Sequence, residues 1–240
     1  NIYVNSEIEW STANSLSLVA FNNIYVNKSI TATNDNGKLA LFYGRGALNA
    51  NNTSDYFINA PINLKAGSNF ITLLGSDGLP TTWTVVTTAS DLQSIALGGN
   101  SVLGADVDIS SISNWTPIGD SSSNAFTGNF DGLGHIVDNL TITSSSVDSV
   151  GLFSETKDAT IKNLGLTNAN ISVDKKYVGG IVGKTDSTTI ENTYFSGSIT
   201  TSANTSYVGG LVGYNSNSKI KKSYTEGTVK VTGFGAMGNG

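Results

Sequence analysis

Glu7 and Glu9, and again Asp106 and Asp108, are carboxylates spaced by two. On a β-strand that spacing puts both members of a pair on one face. Two carboxyls roughly 5–9.5 Å apart in a cleft are what glycoside hydrolysis requires, one as acid and one as nucleophile or base. Neither pair has a histidine close in sequence, so solvent-facing strand positions are the competing reading. His135 is the only histidine, and it lacks a serine, cysteine or metal-ligand partner at a useful spacing, which leaves it a structural position. Asp35-Asn36-Gly37 lacks the further acidic ligands of a calcium loop and reads as a turn. Gly233–Gly238 formally matches G-x-G-x-x-G. A dinucleotide site also needs a helix and an acidic residue about 20 positions on, so a coil corner is expected here. No catalytic residue, metal site or cofactor is expected.

Aromatic side chains offer a different chemistry. Trp83 and Trp115 are expected to present exposed faces, with Asp106 and Asp108 as polar partners, an arrangement suited to stacking on sugar rings and fixing their hydroxyls. Tyr56, Tyr177 and Tyr207 are expected at corners of the fold. Seven N-x-[S/T] sequons occur, at Asn27, Asn51, Asn52, Asn114, Asn139, Asn170 and Asn204.

Composition narrows the classes. Charged residues make up 13% of the 240 residues, about half the ~25% usual in globular domains. Asn, Ser, Thr and Gly take their place, and these favour strands and turns over helices. The net charge is −5 and Arg45 is the only arginine, which argues against nucleic acid as a partner. No apolar run approaches the ~20 residues of a membrane span. The absence of cysteine excludes disulfides, thiolate catalysis and Cys-based zinc sites, and is compatible with export.

Positioning all of these residues is a repeat. Residues 177–183 read YVGGIVG and 207–213 read YVGGLVG. Tyr177, Gly179, Gly180 and Gly183 therefore recur as Tyr207, Gly209, Gly210 and Gly213. Ile190/Ile220, Tyr194/Tyr224, Gly197/Gly227 and Ile199/Val229 keep the same spacing of 30, and a weaker copy begins at Val150. In the first 74 residues, apolar pairs at Ile2/Val4, Ile8/Trp10 and Leu16/Leu18 return at Ile24/Val26, Ile30/Ala32 and Leu39/Leu41, offset by 22, 22 and 23. Pairs spaced by two are the mark of strands buried on one face. Three short strands per turn describe a triangular coil, and stacking coils lets each strand pair in parallel with its equivalents.

The expected fold is therefore all-β, a right-handed parallel β-helix of roughly nine coils. Residues 1–74 form coils of about 22 residues, and 125–240 form coils of about 30. Between them, 75–124 form a junction excursion, with a strand at Trp83–Val86 and a short helix over about 90–96 behind the capping box Ser90-Asp91-Leu92-Gln93. Asn-rich corners should tolerate left-handed backbone and build amide ladders. Phe234-Gly235-Ala236-Met237 should begin another coil.

AFTGNFDGLGHIVDNLTI at 125–142, followed by VGLF and the two YVGG[IL]VG copies, is similar to the GLUG-motif region of large bacterial exoproteins. IYVNSEIEWSTANSLSLVAFNNIYVNKSI and YFINAPINLKAGSNF resemble the filamentous-haemagglutinin type of two-partner-secretion protein. That resemblance implies a secreted or cell-surface location on a Gram-negative bacterium. It also implies an outer-membrane secretion partner, recruited by an amino-terminal domain absent here, and a longer parent chain. It makes the segment part of an adhesin that attaches to host-cell glycans or glycoproteins. Two alternatives stand beside it: a β-helix enzyme cleaving polysaccharide with clustered acids such as Glu9 and Asp106, and a passive stalk of a toxin or haem-acquisition exoprotein.

Overall fold

A computed structural model describes residues 1–204 and 206–233, and the backbone of 237–238. Among the described residues the chain is all-β with one short helix, and it divides into two compact units. The first comprises Asn1–Thr87, Asn100–Ala105 and Leu133–His135, and the second Thr88–Gly99, Asp106–Gly132 and Ile136–Gly240.

In the first unit the apolar i,i+2 pairs become three short strands per coil. Ile2–Val4, Ile24–Val26 and Tyr56–Ile58 pair in parallel as one side. Ile8–Trp10, Ile30–Ala32 and Ile62–Asn63 form the second side, and Ser15–Val19, Lys38–Tyr43 and Gly67–Leu74 the third. Like residues stack: Ile8, Ile30 and Ile62 make one column, and Leu16, Leu39 and Phe70 another. Ile24, Ile30, Leu39 and Ile62 are fully buried, each contributing about 2 kcal/mol relative to exposure. Amide ladders run up the corner. Asn27 Nδ2 donates to Asn5 Oδ1, and Asn59 Nδ2 to Asn27 Oδ1, both at 2.8 Å. Outside, Tyr3, Tyr25 and Phe57 stack with ring centroids 4.9 and 4.8 Å apart.

Residues 75–124 carry the expected strand and short helix. Thr81–Val86 folds back antiparallel on Gly67–Leu74 and pairs in parallel with Asn100–Leu103, so both strands extend the third side of the first unit. The helix is Ala89–Gln93, and its cap is Thr88, whose hydroxyl accepts from the Asp91 N–H, in place of the expected Ser90. Thr88 wins because Asp91 then occupies the third helical position, where an acid favours the dipole. With these residues spent on a hairpin and a helix, the coils among the described residues number about seven.

Coils of the second unit are set by the heptads. Tyr177–Gly179 lies beneath Tyr207–Gly209, and after a two-residue bend Val182–Asp186 lies beneath Val212–Ser216. The glycines permit close backbone approach. A Cβ at Gly179 would stand 2.6 Å from the Gly213 nitrogen, and one at Gly213 would stand 2.6 Å from the Val178 nitrogen. Thr160–Lys162, Thr189–Glu191 and Lys219–Lys221 stack the column Ile161/Ile190/Ile220, as the spacing requires. Left-handed backbone recurs at equivalent corners, at Asp158, Ser187 and Asn217 and again at Asn163, Asn192 and Lys222. Asn192 Nδ2 donates to Asn163 Oδ1 and Asn163 Nδ2 to Asp131 Oδ1, each at 2.9 Å. Met237–Gly238 pairs in parallel with Tyr207-Val208, as another coil would, while residues 234–236 of the glycine-rich match lie outside the described residues.

Candidate functional site

A polar groove lies on the outer face of the sheet that follows each heptad in the second unit. Its strands, Phe153–Lys157, Val182–Asp186 and Val212–Ser216, alternate inward and outward. Thr156 and Thr185 point inward and are buried, so their neighbours point outward. Parallel register then stacks Glu155, Lys184 and Tyr214 in one outer column, with Lys157, Asp186 and Ser216 two residues further along the strands. The groove has a volume of about 320 Å³ and is lined by these six side chains together with Ser122, Ala125 and Thr156.

One wall is a loop held out by its own ends. Ile118 and Phe126 both bridge to the strand Phe153–Lys157, so residues 119–125 bulge outward between them. From this loop Ser122 Oγ donates to Glu155 Oε2 at 2.8 Å. Ser149 Oγ donates to Glu155 Oε1 at 3.1 Å, and Lys184 Nζ pairs with Oε2 at 3.3 Å. The Glu155 carboxylate is thus fixed by three donors. Beside it the Tyr214 ring, 37% exposed, packs at 5.4 Å on Tyr177 and at 5.2 Å on Tyr207, which stack on each other at 5.5 Å. Lys176 Nζ lies 5.0 Å from the Tyr177 ring centroid; a hydrogen bond to the Tyr177 hydroxyl and that phenol's charge raise its pKa. A face of this kind supplies an aromatic platform, ammonium and carboxylate groups, and hydroxyls within one shallow cleft.

The residues singled out by sequence fall elsewhere. Trp83 and Trp115 are buried, which corrects the expectation of exposed indole faces. Each points its N–H inward, Trp83 to the Thr72 hydroxyl at 2.8 Å and Trp115 to the Leu152 carbonyl at 3.1 Å. Burial with the N–H satisfied is the stable state for an indole. Asp106 and Asp108 are exposed in the second unit, where Asp106 accepts from the Ile136 N–H at 3.1 Å. The Asn139 amide, then the Ser110 backbone N–H, then its hydroxyl hold the Asp108 carboxyl below its ordinary pKa, the wrong direction for a general acid. Glu7 and Glu9 are exposed in the first unit. His135 is buried, and its Nε2 donates to the Ile62 carbonyl at 2.9 Å. Of the sequon amides, those of Asn27, Asn52, Asn114 and Asn139 already donate to neighbours. Among the described residues no group of three or more His, Cys, Asp or Glu is placed to hold a metal ion, and no helix is long and apolar enough to cross a membrane.

Tyr177 and Tyr207 do not line the groove but pack behind Tyr214, which does. Sequence reasoning missed Glu155, Lys157, Lys184, Asp186 and Tyr214. They occupy equivalent places in successive coils but differ in type, so only applying the offsets of 29 and 30 to each heptad's sequel would have brought them together.

With this geometry in place, the family model for the GLUG motif matches residues 176–200 and 204–230, the two coils that carry the heptads. The chain is a parallel β-solenoid that carries two GLUG motifs. It is similar to halomucin of Haloquadratum walsbyi (strain DSM 16790 / HBSQ001), with 35% identity over 123 residues, 47% of this chain and 1% of halomucin. The chain thus spans about one hundredth of that relative's length. No solved structure matches.

Proposed function

We propose that this chain is a repeat segment of a secreted, surface-associated protein, and that it attaches its parent to glycans without catalysing a reaction. The observation that carries the reading is the groove, where the exposed Tyr214 ring stands beside Glu155, Lys184 and Asp186. Such a site recognises sugars by stacking on their apolar faces and hydrogen-bonding their hydroxyls. The GLUG coils, the similarity to halomucin and a surface rich in Asn, Ser and Thr support an extracellular place. Host-cell glycans or glycoproteins as the target, and export by a two-partner route from a Gram-negative cell, belong to the same proposal. Repetition along the parent chain would convert weak sites into firm attachment through avidity.

A glycan array probed with the wild-type segment and with Tyr214→Ala tests it. Binding that the substitution removes supports the reading. A segment that binds no glycan, while the full-length protein still binds cells, transfers the function to another part of the parent and leaves this one a stalk. Release of reducing ends from a polysaccharide panel, abolished by Asp106→Asn or Glu9→Gln, would overturn the non-enzymatic assignment.

A further inference from the structure

Resting on that reading, we infer that the groove takes an uncharged linear glycan running across the coils, about one sugar unit per coil. Three features of the site point this way. The first is the sum of its charges. Glu155 and Asp186 supply two negative charges and Lys157 and Lys184 two positive ones, so the lining is neutral. The Glu155–Lys184 pair, at 3.3 Å, also neutralises itself within the floor. An acidic sugar would gain from Lys157 and lose comparably at Asp186, whereas an uncharged one meets donors and acceptors without that conflict.

The second feature is the direction of the cleft. Its lining repeats from coil to coil: Glu155, Lys184 and Tyr214 in one column, Lys157, Asp186 and Ser216 in the next. Adjacent strands stand ~4.8 Å apart, close to the length that a pyranose unit adds to an extended chain. A linear glycan laid across the strands therefore meets a fresh pair of polar side chains at each coil. A ligand lying along one strand would meet only two outward residues before the corner.

The third is the platform. Tyr214 is held against Tyr177 and Tyr207, so its orientation is set before a ligand arrives and less entropy is lost on binding. Stacking on it requires the apolar face of a sugar ring, which pyranoses have whether or not they carry charge.

Calorimetric titration of the folded segment with neutral and uronic-acid oligosaccharides of increasing length, at low and high salt, tests the inference. The neutral series should bind with affinity that rises to about three units and then levels, and that is unchanged by salt. Tyr214→Ala should weaken binding about tenfold. Ser216→Trp, which fills the groove while leaving the ring cluster intact, should abolish it. Circular dichroism and thermal midpoints matching wild type establish that each variant keeps its coils. Preference for the acidic series, or affinity that falls with salt, overturns the inference and leaves glycan attachment standing. Binding of neither series removes both. Neutral binding untouched by Ser216→Trp places the sugar outside the groove and overturns the inference as well.

Discussion

The Phe195 ring covers the Cα of Gly180, and a Cβ at residue 180 would stand 2.5 Å from both the ring's Cε2 and the Gly210 carbonyl oxygen. One of these neighbours is a buried aromatic and the other is backbone of the coil above, so neither gives way easily. Gly180→Ala should therefore destabilise the fold by about 1–3 kcal/mol through overpacking. Gly210→Ala should cost less, because the atoms nearest its Cβ belong to the smaller and exposed Thr225 side chain. Urea unfolding midpoints of the two variants compare the costs directly; equal costs would show that Phe195 does not set the requirement for glycine.

Much of this packing was legible in the sequence, for a physical reason. Where every coil stacks on an equivalent, a residue's inward or outward place is written again at a fixed offset, as with Ile161/Ile190/Ile220 or Ile8/Ile30. The offset also supplies the register. Residues 75–124 have no such copy, so nothing at a fixed offset corrects the expectation of exposed Trp83 and Trp115 faces. Trp83 lies two residues before the buried Val85, and that alternation alone would have turned its ring inward. The groove escaped notice for the opposite reason: its column Glu155, Lys184, Tyr214 is equivalent in position but not in chemistry, so similarity does not reveal it.

Gly165 and Tyr194 make a gentler version of the glycine–aromatic contact. A Cβ at Gly165 would lie 2.5 Å from the Tyr194 hydroxyl and 2.7 Å from its Cε1, both at the mobile end of the side chain. Tyr194 stacks on Tyr224 at 5.2 Å, and burial, more than the neighbouring Tyr224 and Asp106 charges, raises its pKa. Gly165→Ala should swing the ring outward with little loss of stability and bring that pKa down toward the ordinary value. Ultraviolet titration of the variant against wild type reads the change, and an unchanged titration would place the cause elsewhere than in burial.

Asn27 is the middle rung of an amide ladder, donating to Asn5 and accepting from Asn59. Asn27→Ala removes both bonds and should cost about 1–2 kcal/mol. Asn27→Asp keeps the acceptor for Asn59 and loses the donor to Asn5, so an intermediate loss is expected near neutral pH. Chemical denaturation of the three proteins gives the order. An alanine variant as stable as wild type would show that water replaces the ladder without loss.

A column of alternating charge runs through the second unit, with Asp131, Lys162, Glu191 and Lys221 in successive parallel register. Lys162 Nζ lies 3.9 Å from the fully buried Asp131 carboxylate, and Lys221 Nζ lies 3.9 Å from Glu191. Alternation discriminates against slipped registers, since a one-coil shift would put like charges together. Lys162→Met should destabilise by about 1–3 kcal/mol, because it removes the ammonium group 3.9 Å from the buried Asp131 carboxylate while the Asn163 donor stays. Lys162→Glu should cost more, placing three acids in a row. Equal losses for the two would mean that the column contributes by packing alone.

Asp108 carries the clearest pH signature. Its carboxyl is held below the ordinary value mainly by the Asn139 amide. The ionised form is therefore favoured in the folded chain. The stabilisation this lends is complete above the unfolded pKa of about 4 and is lost as pH falls through the lower folded value. Asn139 has φ of 63°, so Asn139→Gly keeps the backbone conformation while deleting the donor. In that variant the Asp108 pKa, followed by its carboxyl carbon resonance, should rise toward the ordinary carboxylate range. Asp108's share of the acid sensitivity should shrink with it, seen as a smaller drop in urea midpoint between neutral and strongly acidic buffer. A resonance that titrates as in wild type would transfer the effect to Ser110, whose backbone N–H donates to the same carboxylate at 2.8 Å.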